Sequence, residues 1–207
     1  MKICTLMAPF LLSGCTVSLL FGDVTESAFV TPNSSGVIGR TSGPGTVAGS
    51  MTSTTTGNVL GYEAGPDGDD KFQAFAGIAS GATVTPPPAA GTATYTGTYE
   101  VAAVDFILRT ITGASGTSYV DEGSIALEAD FGAGTLTGTG VSTSSNPDVS
   151  GNTLSVSGTF SGDVLTGTAT YDGVAGPLSG LVGSDEVIGV FHGNSDRQVH
   201  AGGFIAD

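Results

Sequence analysis

A chain of 207 residues with 34 glycines, no tryptophan and only 12% charged residues can build one sizeable core, but it is short of the residues that favour helices. Thr, Ser, Val and Gly dominate, and 39% hydrophobic content excludes a disordered polar chain and points to an all-β protein. The formal charge of −14, opposed only by Lys2, Arg40, Lys71, Arg109 and Arg197, argues against nucleic acid and anionic membrane surfaces and favours a basic protein partner or plain solubility.

The chain opens with a processing signal. Met1 and Lys2 give a short positive start, and Ile3 to Leu12 is an apolar run too short to span a bilayer. It ends in Leu12-Ser13-Gly14-Cys15, which resembles the bacterial lipobox: a leucine, two small residues and a cysteine whose thiol accepts lipid. Cleavage by an ordinary signal peptidase, with Cys15 incidental, is the alternative. Cys4 lies inside the removed segment, so Cys15 has no disulfide partner in the mature chain. Residues 1–14 are therefore expected to be a lipoprotein signal peptide, and 15–44 a lipid-anchored tether and loose lead-in. The N-terminal lipid is the only membrane attachment expected, because no later stretch could span a bilayer as a helix.

Residues 45–90 contain GTVAGSMTS, NVLGYEAG and KFQAFAGI, which read as short strands of a small β region. ATVTPPPAAG at 82–91 closes that region, since no central strand holds three consecutive prolines. From 91 to 207 the alternation becomes regular. Thr92, Thr94, Thr96 and Thr98 oppose Ala93, Tyr95, Gly97, Tyr99 and Val101, while Thr166, Thr168 and Thr170 oppose Leu165, Gly167, Ala169 and Tyr171. Ile125, Leu127, Ala129 and Phe131 continue the pattern, as do Leu154, Val156 and Phe160. About eight antiparallel strands joined by short Gly-, Asn- or Asp-containing turns are expected. The packed face mixes aromatics with Gly and Ala, which suits the narrow interior of a small soluble barrel rather than a lipid-facing belt.

Ala129-Asp130-Phe131 with GTLTG at 134–138, SGTFSGDVLTG at 157–167 and the closing GVFHGNSDRQVHAGGFIAD carry a resemblance. Residues 91–207 resemble the β-barrel domain of the transferrin-binding protein B family of surface lipoproteins. The closing hairpin departs from that pattern at Gln198, Val199, His200 and Ala201, and the chain has material for a single lobe, with 45–90 as a reduced handle. The resemblance implies an outer-membrane lipoprotein, displayed at the cell surface, that binds a host or environmental protein or an iron carrier through its barrel loops. The alternative is a structural envelope lipoprotein with no small-molecule ligand.

No resident cofactor or metal is expected. His192 and His200 fall in adjacent final strands and, with Tyr95, Tyr99 or Tyr171, could form an iron site, but no third histidine or carboxylate stands at a fixed spacing. The run Asp67-Gly68-Asp69-Asp70 fails the EF-hand pattern, because Ile78 occupies the position of its closing glutamate. Asp67, Asp69 and Asp70 remain ligand-contact candidates on an acidic turn, and the loop 143–152 is a second contact candidate. Nothing supports catalysis: no Gly-x-Ser-x-Gly elbow, phosphate loop or dinucleotide fingerprint occurs.

Overall fold

The computed structural model describes residues 27–67, 71–110, 113–147 and 149–207. Those residues form strands in two groups, and no helix is present among them. The first group is a four-stranded sheet made of β1 (Ala28–Phe29), β2 (Val47–Thr52), β3 (Val59–Pro66) and β4 (Phe72–Ile78), in the order β1-β4-β3-β2. The second is a closed antiparallel barrel of β5 (Thr92–Thr110), β6 (Gly113–Asp130), β7 (Thr135–Ser142), β8 (Thr153–Ser161), β9 (Val164–Tyr171), β10 (Val174–Val182), β11 (Val187–Asn194) and β12 (Val199–Ala206). The three strands read at 47–78 and the eight read after 91 are present. β1 falls inside the lead-in expected to be loose, where it pairs parallel with β4.

The barrel wall follows the alternation of the sequence. Tyr95, Tyr99, Val101, Ile125, Leu127, Leu136, Leu154, Leu165, Ala169, Tyr171, Phe191 and Phe204 all enter one interior core. The opposite face of β7 to β9 exposes Thr137, Thr139, Ser155, Ser157, Thr166 and Thr168, a polar outer surface unlike a lipid-facing belt. Glycines admit the rings: a Cβ on Gly193 would lie 2.6 Å from the His200 ring on the neighbouring strand.

Three strands break the pattern, because both of their faces are covered. Ala102 and Val104 of β5, Ile188 and Val190 of β11, and Val199 and Ala201 of β12 point out of the barrel. They pack against Leu60, Tyr62, Ala64, Phe72, Ala74 and Ala76 of the small sheet. Every residue of β11 except its last is buried, whereas β8 alternates. The sheet is therefore clamped to the barrel exterior by a second apolar core.

The clamp has a polar bolt at one end. Glu186, fully buried in the β10–β11 turn, accepts hydrogen bonds from Ser53 Oγ, from Thr56 Oγ1 at 2.9 Å and from Asn58 Nδ2 at 3.1 Å. Asn58 also exchanges two hydrogen bonds with the backbone of Thr83, which ties in the proline-rich connector. A buried carboxylate survives folding only when donors replace its lost water, and here three do so.

Candidate functional site

The opposite end of the barrel looks different. β12 pairs with β5 from Gly97 to Val104, and β7 pairs with β6 from Gly123 to Asp130. Beyond those limits β5 and β6 pair with each other, with a register shift between Asp105 and Leu108, and rise above the rim as a two-stranded ribbon. Ile107 pins the base of the ribbon by donating its N–H to the Arg197 carbonyl, 3.1 Å away. Phe106 is 65% exposed, and Leu108 and Val120 are also exposed. The 143–152 loop, the β9–β10 turn and the β11–β12 turn open at this same end, which we call the hairpin end.

A polar network descends from the rim into the lumen. Asp105 Oδ2 accepts a hydrogen bond from the Tyr119 hydroxyl at 2.7 Å, and Gln198 hydrogen-bonds both groups. Tyr119 in turn contacts Tyr171. The Tyr171 hydroxyl donates to Asp121 Oδ2 at 2.9 Å and accepts from Asn152 Nδ2 at 2.9 Å. Fully buried Asp121 also accepts from Ser142 Oγ at 2.5 Å, with the Tyr99 hydroxyl 3.4 Å away. These side chains come from β5, β6, β7 and β9 and from the β7–β8 and β11–β12 connections. They meet because those strands present the same inward register at one end of a closed wall.

Electrostatics keeps the network's tyrosines neutral. Burial, then the hydrogen bond to Asp105, pushes the Tyr119 hydroxyl far up, and burial does the same to Tyr99 and Tyr171. Burial raises the Asp105 carboxyl; hydrogen bonds from Tyr119 and Gln198 oppose that shift, and Asp172 adds to it. Neutral phenols donate hydrogen bonds here and are poor anionic ligands for iron.

The two histidines do not form a site together. They lie on adjacent strands but on opposite faces of the wall. His200 points into the lumen, fully buried beside Tyr171 with ring centroids 5.3 Å apart. His192 points outward against Phe29 at 4.6 Å. Burial, then His192, lowers His200 to about 3, and burial lowers His192, so both are neutral near pH 7. Tyr95 donates to the Gly183 carbonyl at the far end of the barrel, 2.6 Å away. Among the described residues no group of three or more His, Cys, Asp or Glu side chains is placed to hold a metal ion.

Asp67 lies in the β3–β4 turn, its N–H donating to the Lys71 carbonyl at 3.0 Å. Asp69, Asp70 and Cys15, the residue expected to accept lipid, lie outside the described residues. The residues that converge at the hairpin end, namely Asp105, Phe106, Tyr119, Asp121, Asp172 and Gln198, are not among the contact candidates read from sequence. A signal for two of them existed: Asp105 and Asp121 extend the inward registers of Tyr99-Val101 and Ile125-Leu127, so each puts a carboxylate on a face otherwise apolar.

No protein-family model matches the chain, and no curated protein matches it. Solved structures do. Transferrin-binding protein B from serogroup B Neisseria meningitidis aligns at 16% identity over 80% of this chain and 35% of its own, with a TM-score of 0.49. A surface lipoprotein aligns at 14% identity over 59% of this chain and 65% of its own, with a TM-score of 0.41. The receptor HpuA from Kingella denitrificans, solved in complex with human haemoglobin, aligns at 20% identity over 72% of this chain and 55% of its own, with a TM-score of 0.37. The chain thus spans less than two-thirds of the length of each, and the likeness is one of fold.

Proposed function

We propose that the chain is a non-catalytic surface lipoprotein of the bacterial outer membrane that captures a protein partner through the hairpin end of its barrel. In this reading Cys15 carries the lipid, residues 16–26 lead from the anchor to the small sheet, and the sheet serves as a reduced handle. The projecting β5–β6 ribbon is the observation that supports it. The barrel interior is filled by side chains, which leaves recognition to rim and loops. A two-stranded ribbon is marginal alone in water, and this one exposes Phe106, Leu108 and Val120. Those residues supply the kind of aromatic and aliphatic anchor that protein interfaces bury. The 143–152 loop and the acidic residues Asp67, Asp69 and Asp70 are proposed as secondary contacts.

An iron-carrying host protein is the partner class to try first, with transferrin and haemoglobin as initial baits. The test compares the full chain with a variant in which residues 106–115 are replaced by a two-residue turn. Both are used to capture protein from serum and from envelope extract of cells grown with and without iron. Capture by the full chain and not by the short-ribbon variant supports the reading. Equal capture by both moves recognition elsewhere, and envelope proteins alone would favour a structural lipoprotein. Cys15→Ser tests the anchor separately: the membrane-associated form should give way to unprocessed precursor or soluble protein, whereas an unmodified mature N-terminus at another residue removes the lipid from the account.

A further inference from the structure

The rim of the hairpin end carries a cleft of about 250 Å³ lined by Asp105, Phe106, Asp172, Arg197 and Gln198. Among the described residues only two non-glycine positions have positive φ, Phe106 at 53° and Asp172 at 45°, and both line this cleft. A left-handed backbone is costly for a bulky aromatic residue, and at Phe106 it turns the ring outward beside two carboxylates. Asp105 is held from below by Tyr119 through Oδ2 and by Gln198, while its Oδ1 is buried without a hydrogen-bond donor. An acceptor removed from water and left unmatched favours any guest that brings a donor.

The lining sets two carboxylates and an aromatic face against a single guanidinium, on a chain of formal charge −14. An anionic guest would meet Arg197 but also both aspartates and the field of the whole molecule. A cationic guest would find carboxylate oxygens at Asp105 and Asp172 and the negative ring face of Phe106. The volume lies below the roughly 300–1,000 Å³ of ordinary small-molecule sites and matches one long side chain.

We propose that this cleft receives a single lysine or arginine side chain of the bound protein. The inference rests on the protein-capture reading above and gives that surface its specificity: the Phe106 anchor and the cationic pocket sit side by side, so a partner must present a basic residue next to an apolar one. Long-range attraction to the acidic chain then speeds encounter, and the cleft fixes register.

The test leaves the natural partner aside. Isotope-labelled full chain is titrated with Nα-acetyl-arginine amide and Nα-acetyl-lysine amide, with Nα-acetyl-norleucine amide as the uncharged match, and followed by backbone amide shifts. Basic probes should perturb residues 105–106, 172 and 197–198, and the norleucine probe should not. Asp172→Asn, at an exposed turn, should weaken binding about fivefold and Phe106→Ala about threefold. Arg197→Gln should tighten it. Equal response to norleucine, shifts spread over the acidic surface and indifferent to Asp172→Asn, or weaker binding by Arg197→Gln would each overturn the cationic cleft. Asp105→Asn adds a fourth arm only if its unfolding transition matches the parent's. Probe binding without any captured protein would leave the cleft standing and remove the protein-capture reading; capture without probe binding would do the reverse.

Discussion

The two ends of the barrel solve the problem of buried charge in opposite ways. At the far end Glu186 is fully buried and receives donors from Ser53, Thr56 and Asn58, and the small sheet, connector and barrel are locked together around it. At the hairpin end Asp105 is half-buried and keeps one oxygen unmatched, and His200 beneath it has both ring nitrogens without partners. The network around Glu186 is thus closed and the one around Asp105 open, although Asp185 Oδ1 beside Glu186 is also unmatched and Asp121 below Asp105 is fully supplied with donors. A closed network stabilises an arrangement, whereas an open one keeps polar groups in reserve for contact with something else.

Removing the bolt is the sharpest way to break this contrast. Glu186→Ala leaves Ser53 and Asn58 buried without their acceptor and should cost about 3 kcal/mol. Denaturant unfolding gives the size, and hydrogen exchange gives the location: amides of β2 and β3 should lose protection before those of β8 and β9. Loss spread evenly over the chain would mean that sheet and barrel unfold as one unit and that the bolt is not local.

The wall between the ends provides the next measure. A Cβ on Gly167 would collide with the Ser157 carbonyl, whereas Thr168 is exposed on the outer face. Gly167→Val should cost about 2 kcal/mol and Thr168→Val less than about 0.5 kcal/mol. Similar shifts in thermal unfolding would contradict the assignment of faces.

The open end should also announce itself in pH. Folded His200 sits near 3, below the ordinary 6.5, so the unfolded chain binds the extra proton first. Stability is therefore complete above pH 6.5 and is lost as pH falls toward 3, with about 1.4 kcal/mol gone between pH 7.5 and 5.5. His192 is lowered too and adds a slope of the same sign. His200→Leu should remove the larger part of the slope, and an unchanged profile in that variant would place the titration elsewhere.

The smallest expected change separates function from stability. Phe106→Gly relieves a positive φ, so it should leave stability unaltered or raise it by up to about 1 kcal/mol while capture of the partner falls. A variant that loses stability as well would show that the Phe106 ring packs structurally.

What the sequence determined by itself was local. The period of two fixes which side chain faces which side, and Tyr95, Gly97, Tyr99 and Val101 against Thr94, Thr96 and Thr98 show it without any partner strand. Gly-containing turns mark where each strand stops, which is why the eight barrel strands and β2 to β4 were legible. Two things needed the closed structure. The outward apolar residues Ala102, Val104, Ile188 and Val190 acquire a meaning only when the small sheet covers them, because burial on a second face depends on another element's position. Likewise Asp105 on β5, Tyr119 on β6, Tyr171 on β9 and Gln198 beside β12 are up to 93 positions apart in the chain (198 minus 105) and meet only through barrel closure. Alternation records which way a side chain points, and closure decides what it points at.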